Sequence, residues 1–219
     1  MKRFIFILCL ITDTLTSFSQ NDTIHQKLGA YRNAVDYKNN KPLIEGKFIM
    51  TKLKYPKSFE FYDIENIKPI NSTQSVTYFN IKYGIWAIID SSNIYFNSYR
   101  FGIGKGFAKA IEKGRYCYIK GKPITNENQD ESMTQAGLLG GLVGGGIAAG
   151  SVYLKLKDKI HYVIDVQNGN IHNLDKNYLC YILQPHADLY EQYLNEPNNE
   201  TIEVLINYIK LLNDRLDSN

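Results

Sequence analysis

Alternation between apolar and polar side chains dominates the chain from residue 43 onward. Short runs rich in Ile, Tyr and Phe recur there between clusters of turn residues, a pattern typical of antiparallel strands. The composition of residues 90–93, 112–114 and 168–169 indicates tight turns, because Asn, Asp, Ser and Gly accept the backbone conformations that such turns need. The pattern predicts a β-meander whose strands lie within residues 43–53, 78–83, 85–89, 94–96, 107–111, 115–120 and 155–166.

Helical spacing precedes this region. Four apolar residues follow one another there at intervals of four, three and four residues, namely Ile24, Leu28, Tyr31 and Val35. These intervals define one face of an α-helix. Asn21 or Asp22 can cap its start, and Pro42 lies beyond its end.

Helical spacing returns after residue 174. Asp175 can cap a first helix, Pro185 can begin a second, and Asn198 or Asn199 can begin a third. The third helix needs a partner surface for its apolar stripe, and the outer face of the β module is the nearest one available. The stripe consists of Ile202, Leu205, Ile206, Ile209, Leu212 and Leu216.

The first 19 residues have the features of an export signal. Lys2 and Arg3 give a basic start, residues 4–11 are apolar, and Ser17 and Ser19 are small residues before a cleavage point. Eight apolar residues are too few to cross about 30 Å of hydrocarbon, which disfavours an uncleaved anchor. The sequence therefore predicts export to the periplasm or cell envelope.

An apolar glycine-rich segment interrupts the β module. No charged residue occurs in residues 133–154, and in a helix its glycines, which recur at intervals of four, would line a groove for close backbone contact. Seven of the chain's 16 glycines are found there: Gly137, Gly140, Gly141, Gly144, Gly145, Gly146 and Gly150.

Three interpretations of this segment remain open. Its uncharged residues would span about 33 Å as a helix, enough to be embedded in a membrane. Glycine is costly inside a helix, which favours a flexible apolar loop, and a strip that associates with a second copy is the third interpretation. A single membrane crossing would separate the strand at 155–166 from the rest of the sheet, whereas a re-entrant or surface-lying insertion would not. We expect association with a membrane or with itself through residues 136–154.

The order of these elements predicts an α+β fold. It comprises an antiparallel β-meander or partial barrel with an N-terminal helix, a Gly-rich apolar insertion and a C-terminal helical cap. The expected segments are a signal peptide at 1–19, the N-terminal helix and β-meander at 20–130, the glycine-rich segment at 131–154, and a β-hairpin with C-terminal helices at 155–219, packing on the same domain.

Composition narrows the functional classes. The chain has 219 residues, of which 44% are hydrophobic and 21% charged, and a net charge of +3; these values exclude collagen, disordered and disulfide-scaffold classes and disfavour nucleic-acid binding. The charge is unevenly distributed, because residues 20–135 carry +6 and residues 151–219 carry −4. We expect the acidic helical part to dock on the basic β module within one molecule, rather than a basic face kept for an outside polyanion.

Candidate chemistry is sparse. His161, His172 and Asp165 could meet across a hairpin to hold a metal, although such residues are more often polar surface residues. Residues 102–106 lack the spacing of a phosphate loop, and buried free thiols are more common than a bridge between Cys117 and Cys180. We assign no catalytic, cofactor-binding or metal site and expect no enzyme; His25 and His186 are isolated.

Several short sequence segments resemble those of a known group of proteins. The segments lie at residues 84–90, 94–97, 105–107, 114–118, 162–169 and 185–190. Together they resemble uncharacterised exported proteins of Bacteroidota, over about residues 31–124 and 160–213. The resemblance implies no known activity, but it implies a double-membrane bacterium and hence the periplasm or envelope.

Two functions follow as expectations. The first is a non-enzymatic cell-envelope protein that associates with a membrane or with itself through the glycine-rich segment. The second is a soluble periplasmic carrier of an apolar small molecule, whose pocket Trp86 and the many tyrosines of the β module would line.

Overall fold

The computed structural model describes residues 26–54, 60–69, 83–123 and 160–218. These ranges contain nine strands: β1 (Gly29–Tyr31), β2 (Ile44–Lys52), β3 (Phe61–Pro69), β4 (Ala87–Asp90), β5 (Asn93–Asn97), β6 (Phe107–Lys109), β7 (Tyr116–Lys120), β8 (His161–Asp165) and β9 (Ile171–Asn173). They also contain four helices: α1 (Ala34–Lys38), α2 (Lys176–Leu183), α3 (Ala187–Leu194) and α4 (Ile202–Asp217). The predicted α+β class is confirmed.

Six strands form a closed antiparallel barrel in the order β1-β2-β3-β6-β5-β4. Along β2, Ile44 and Phe48 are buried while Glu45 and Lys47 are exposed. Because successive side chains of a strand point to opposite faces, the face that carries Ile44 and Phe48 is the barrel interior. The interior cluster is made of Ala30, Ile44, Phe48, Ile85, Ile88, Tyr95 and Phe107.

A second sheet, in the order β7-β8-β9, forms the middle layer of the molecule. On one face, Cys117, Ile119 and Ile164 join a core cluster with Trp86 and Phe96 of the barrel side. Its other face, which carries Tyr116, Tyr118 and Val163, packs with the apolar side chains of α2, α3 and α4. The layers are therefore barrel, sheet and helices.

The helical layer follows the predicted pattern closely. Asp175 caps α2, and its carboxylate accepts a hydrogen bond from the backbone N–H of Tyr178 at 2.9 Å. In α4, Leu205, Ile209 and Leu212 of the predicted stripe are buried. The second and third helices begin slightly later than predicted, at Ala187 and Ile202.

The N-terminal helix is shorter than predicted. Residues 29–31 form β1, which pairs with both β2 and β4 and so closes the barrel. Helix α1 begins only after Asn33, whose side chain accepts a hydrogen bond from the N–H of Asp36 at 2.8 Å. Tyr31 lies in β1 and Val35 is 61% exposed, so the predicted apolar helix face is not formed. Two ladders of strand pairing outweigh the local helical spacing.

The predicted hairpin of residues 107–111 and 115–120 is present only as a remnant. Strand β6 pairs with β3 and β5 in the barrel, whereas β7 pairs with β8 in the second sheet. A single bridge between Glu112 and Tyr118 survives at the turn, where Gly114 has the positive φ expected of it, +145°. The turn therefore connects two sheets instead of two neighbouring strands.

Candidate functional site

The predicted association segment at 131–154, with its seven glycines, lies outside the described residues, as do the signal region and His25. The strands that flank this segment are described, however. They are β7 before it and β8 after it, and they pair antiparallel from Tyr116 opposite Asp165 to Lys120 opposite His161. The place where the chain leaves and rejoins the sheet is therefore known.

Hydrogen bonds fix this place, which we call the root of the insertion (residues 120–123 and 160–162). The N–H of Gly121 donates to the carbonyl of Ile160 at 3.0 Å. The Tyr162 hydroxyl donates to the carbonyl of Lys122 at 2.8 Å. Both ends of residues 124–159 are thus held side by side at one end of the second sheet.

The root limits how the insertion can meet a membrane. An odd number of crossings would put β8 on the opposite side of the bilayer from β7, which is incompatible with their pairing. Residues 123 and 160 therefore lie on the same side of any bilayer that the protein meets. Within the described ranges, no helix combines the length and apolar character required to cross a bilayer.

The barrel interior bears on the carrier hypothesis. Its side chains close on one another, and Tyr62 and Tyr95 meet edge to face with ring centroids 5.1 Å apart. Trp86 faces the second sheet instead, between Tyr37 at 5.8 Å and Phe96 at 5.1 Å. In the described part of the chain, the aromatic residues named for a pocket pack as core.

A polar cluster lies at the end of the second sheet opposite the root. Asp165 is buried, and its carboxylate accepts hydrogen bonds from the N–H of Gln167 at 2.9 Å and from the Asn168 amide at 3.1 Å. The Arg115 Nε lies 3.7 Å from the same carboxylate, and the guanidinium lies over the Tyr116 ring at 5.1 Å. These hydrogen bonds hold the Asp165 side chain against the turn between β8 and β9, where Gly169 has a φ of +80°.

The two histidines named for a metal site share a face of the second sheet but have other partners. His161 Nδ1 lies 2.6 Å from the Tyr118 hydroxyl. His172 stacks on Tyr178 of α2 with centroids 4.2 Å apart, and burial lowers its pKa. Within the ranges that the structure covers, no three His, Cys, Asp or Glu side chains converge as metal ligands.

Neither cysteine has the environment of a nucleophile. Cys117 is fully buried, and burial raises the pKa of its thiol to about 12, which keeps it protonated. Cys180 is a half-buried free thiol on α2. Residues 102–106 form a tight connection, in which a side chain on Gly104 would clash with the Phe61 ring.

The apolar stripe predicted for α4 did not include one buried polar residue, Asn213. Asn213 of α4 is buried, and its amide bonds both backbone groups of Tyr116 at the edge of β7, accepting from the N–H at 2.9 Å and donating to the carbonyl at 2.9 Å. A side chain on Gly114 would come within 2.5 Å of the Asn213 side chain. The sequence does indicate that Asn213 is buried, because it follows Ile209 by four residues and so lies on the apolar face of the helix.

Comparison with known proteins identifies a family for this chain, but that family has no known activity. A model described as a family of unknown function, DUF6563, matches residues 29–216. No curated protein matches the chain. No solved structure matches it either. The match begins at the first residue of β1 and ends within α4, so it includes the barrel, the second sheet and the helical layer. The chain therefore belongs to DUF6563, a family of unknown function.

Proposed function

We propose that the chain is a non-enzymatic cell-envelope protein that associates with a membrane through the glycine-rich segment at 131–154. The observation that carries the proposal is the root, where the two ends of an uncharged insertion are held side by side by the pairing of β7 with β8. An apolar segment that must return to its starting point suits a re-entrant or surface-lying insertion.

The cellular location is part of the proposal. The basic start, apolar run and small residues of positions 1–19 support export. The resemblance to exported Bacteroidota proteins supports a periplasmic or envelope location. An exported protein with an uncharged apolar insertion would meet a membrane on either side of the periplasm.

Deletion of residues 136–152 tests the membrane association. The root bonds lie outside the deletion, so the sheet should fold as before while the variant leaves the membrane pellet for the supernatant. A matched variant keeps the length and replaces Leu138, Leu139, Leu142 and Val143 with Ser; it should also be released. Unchanged fractionation of both variants would contradict the proposal. Loss of a dimer on light scattering, with no change in fractionation, would favour self-association instead.

The second candidate is a carrier of an apolar small molecule in the β module. It is favoured by the closed barrel, an architecture that can enclose small ligands. Against it, Phe48, Tyr95 and Phe107 occupy the interior. A lipid that co-purifies on native mass spectrometry would support this function, and a ligand-free mass would contradict it.

A further inference from the structure

The outer face of β2 is the pole of the barrel farthest from the second sheet. In the closed order β1-β2-β3-β6-β5-β4, β2 stands opposite β5 across the barrel. The outward side chains of β5, Ile94 and Phe96, belong to the cluster that joins barrel and sheet. The β2 side therefore faces away from both the sheet and the helices.

Lysines and exposed apolar side chains alternate on this side. We define the β2 face as Lys41, Leu43, Lys47 and Ile49. All four are exposed, including Leu43 at 37% and Ile49 at 42%. The intervening acidic residue, Glu45, is paired with Lys27 at 3.6 Å. The face is thus basic with two apolar side chains among the charges.

The opposite pole of the molecule is acidic. Residues 26–123 carry 17 basic and 7 acidic side chains, a net +10, whereas residues 160–218 carry 3 and 9, a net −6. Among the ion pairs between described residues, Arg115–Asp165 alone joins these two parts. The helices dock through apolar contacts on the second sheet, so the charge of the barrel is not neutralised by the helical layer.

The C-terminal end of β2 approaches the root of the insertion. The connection of residues 98–106 contacts both: Gly106 packs beside Leu53, just after β2, and the carbonyl of Ile103 accepts a hydrogen bond from the N–H of Lys122 at 2.5 Å. The root therefore lies near one end of the strand that carries the β2 face.

We infer that the β2 face docks on an anionic lipid bilayer, with the helical layer turned away from it. Each lysine near such a surface strengthens binding by about fivefold, and exposed apolar side chains add contact with the interface. The acidic pole is repelled by the same surface, which fixes one orientation. This inference rests on the proposed membrane association and specifies its lipid and its geometry.

Vesicle sedimentation of the purified protein tests the inference. The probes are vesicles of phosphatidylcholine alone and of equal parts phosphatidylcholine and phosphatidylglycerol. The test variant is Lys41→Glu with Lys47→Glu. The matched control, Lys113→Glu with Lys210→Glu, makes the same charge change at two exposed lysines outside the β2 face. A milder pair, Lys41→Gln with Lys47→Gln, keeps the test valid if charge reversal lowers stability.

The expected result is tighter binding to the anionic vesicles, weakened at least about 25-fold by the test variant and less than threefold by the control. Equal binding of the unaltered protein to both vesicles would overturn this inference and leave membrane association standing. Binding to neither would overturn both. Equal losses in the test and control variants would also overturn it.

Discussion

At the scale of single residues, Asn213 is the contact that joins the helical layer to the edge of the second sheet by polar bonds. Strand β7 lies at that edge, and the backbone N–H and carbonyl of Tyr116 would be unpaired there without the Asn213 amide. Buried backbone groups that lose their partners are costly. Asn213 thus completes the strand pairing that the sheet lacks on this side.

Replacing Asn213 with Ala should lower the free energy of unfolding by about 2–4 kcal/mol, because two buried backbone groups lose their partner. The measurement is urea denaturation followed by circular dichroism. Asn207→Ala is the control, since Asn207 is an exposed residue of the same helix. A loss for Asn213→Ala no larger than that of the control would contradict the assigned role.

His172 should make stability depend on pH. Burial beside Tyr178 lowers its pKa, and the opposing effects of Asp165 and Asp175 do not reverse this. The unfolded chain then binds a proton near pH 6.5 that the folded chain does not, so stability should fall as the pH drops through that value. The measurement is the thermal unfolding midpoint between pH 8 and 5.5. His172→Gln should flatten this slope, while His186→Gln should retain it; a slope unchanged by His172→Gln would contradict the argument.

At the scale of elements, local pattern was sufficient where one element buries one face. The stripe of α4, the cap of α2 and the turn at Gly169 could all be predicted, because spacing and turn chemistry act within a few residues. Strand β1 could not be predicted. Its three residues are strand because β2 and β4 flank them, and contacts so distant in sequence leave no local signal.

The same limit applies to the candidate site. The sequence locates an uncharged glycine-rich segment, but the pairing of β7 with β8 across it is a long-range contact. The partner of β7 was expected to be the preceding strand, β6. In the structure, β6 pairs with β3 and β5 in the barrel instead. The root could therefore be described only from the structure.

At the scale of the whole molecule, three layers separate a basic surface from an acidic one. The barrel presents the basic β2 face on one side, and the helices present an acidic surface on the other. The root lies at an end of the middle sheet, beside the connection that contacts Leu53 just after β2. In the proposed orientation, the β2 face and the root would both lie toward the same bilayer.

The most direct test of this account is fractionation of the native host, followed by immunodetection of the unaltered protein. We predict that the protein sediments with the membranes, and that part of it stays there after a high-salt wash. Salt screens the contribution of lysines but not that of an apolar insertion. Recovery of all the protein in the periplasmic supernatant at low ionic strength would contradict the account.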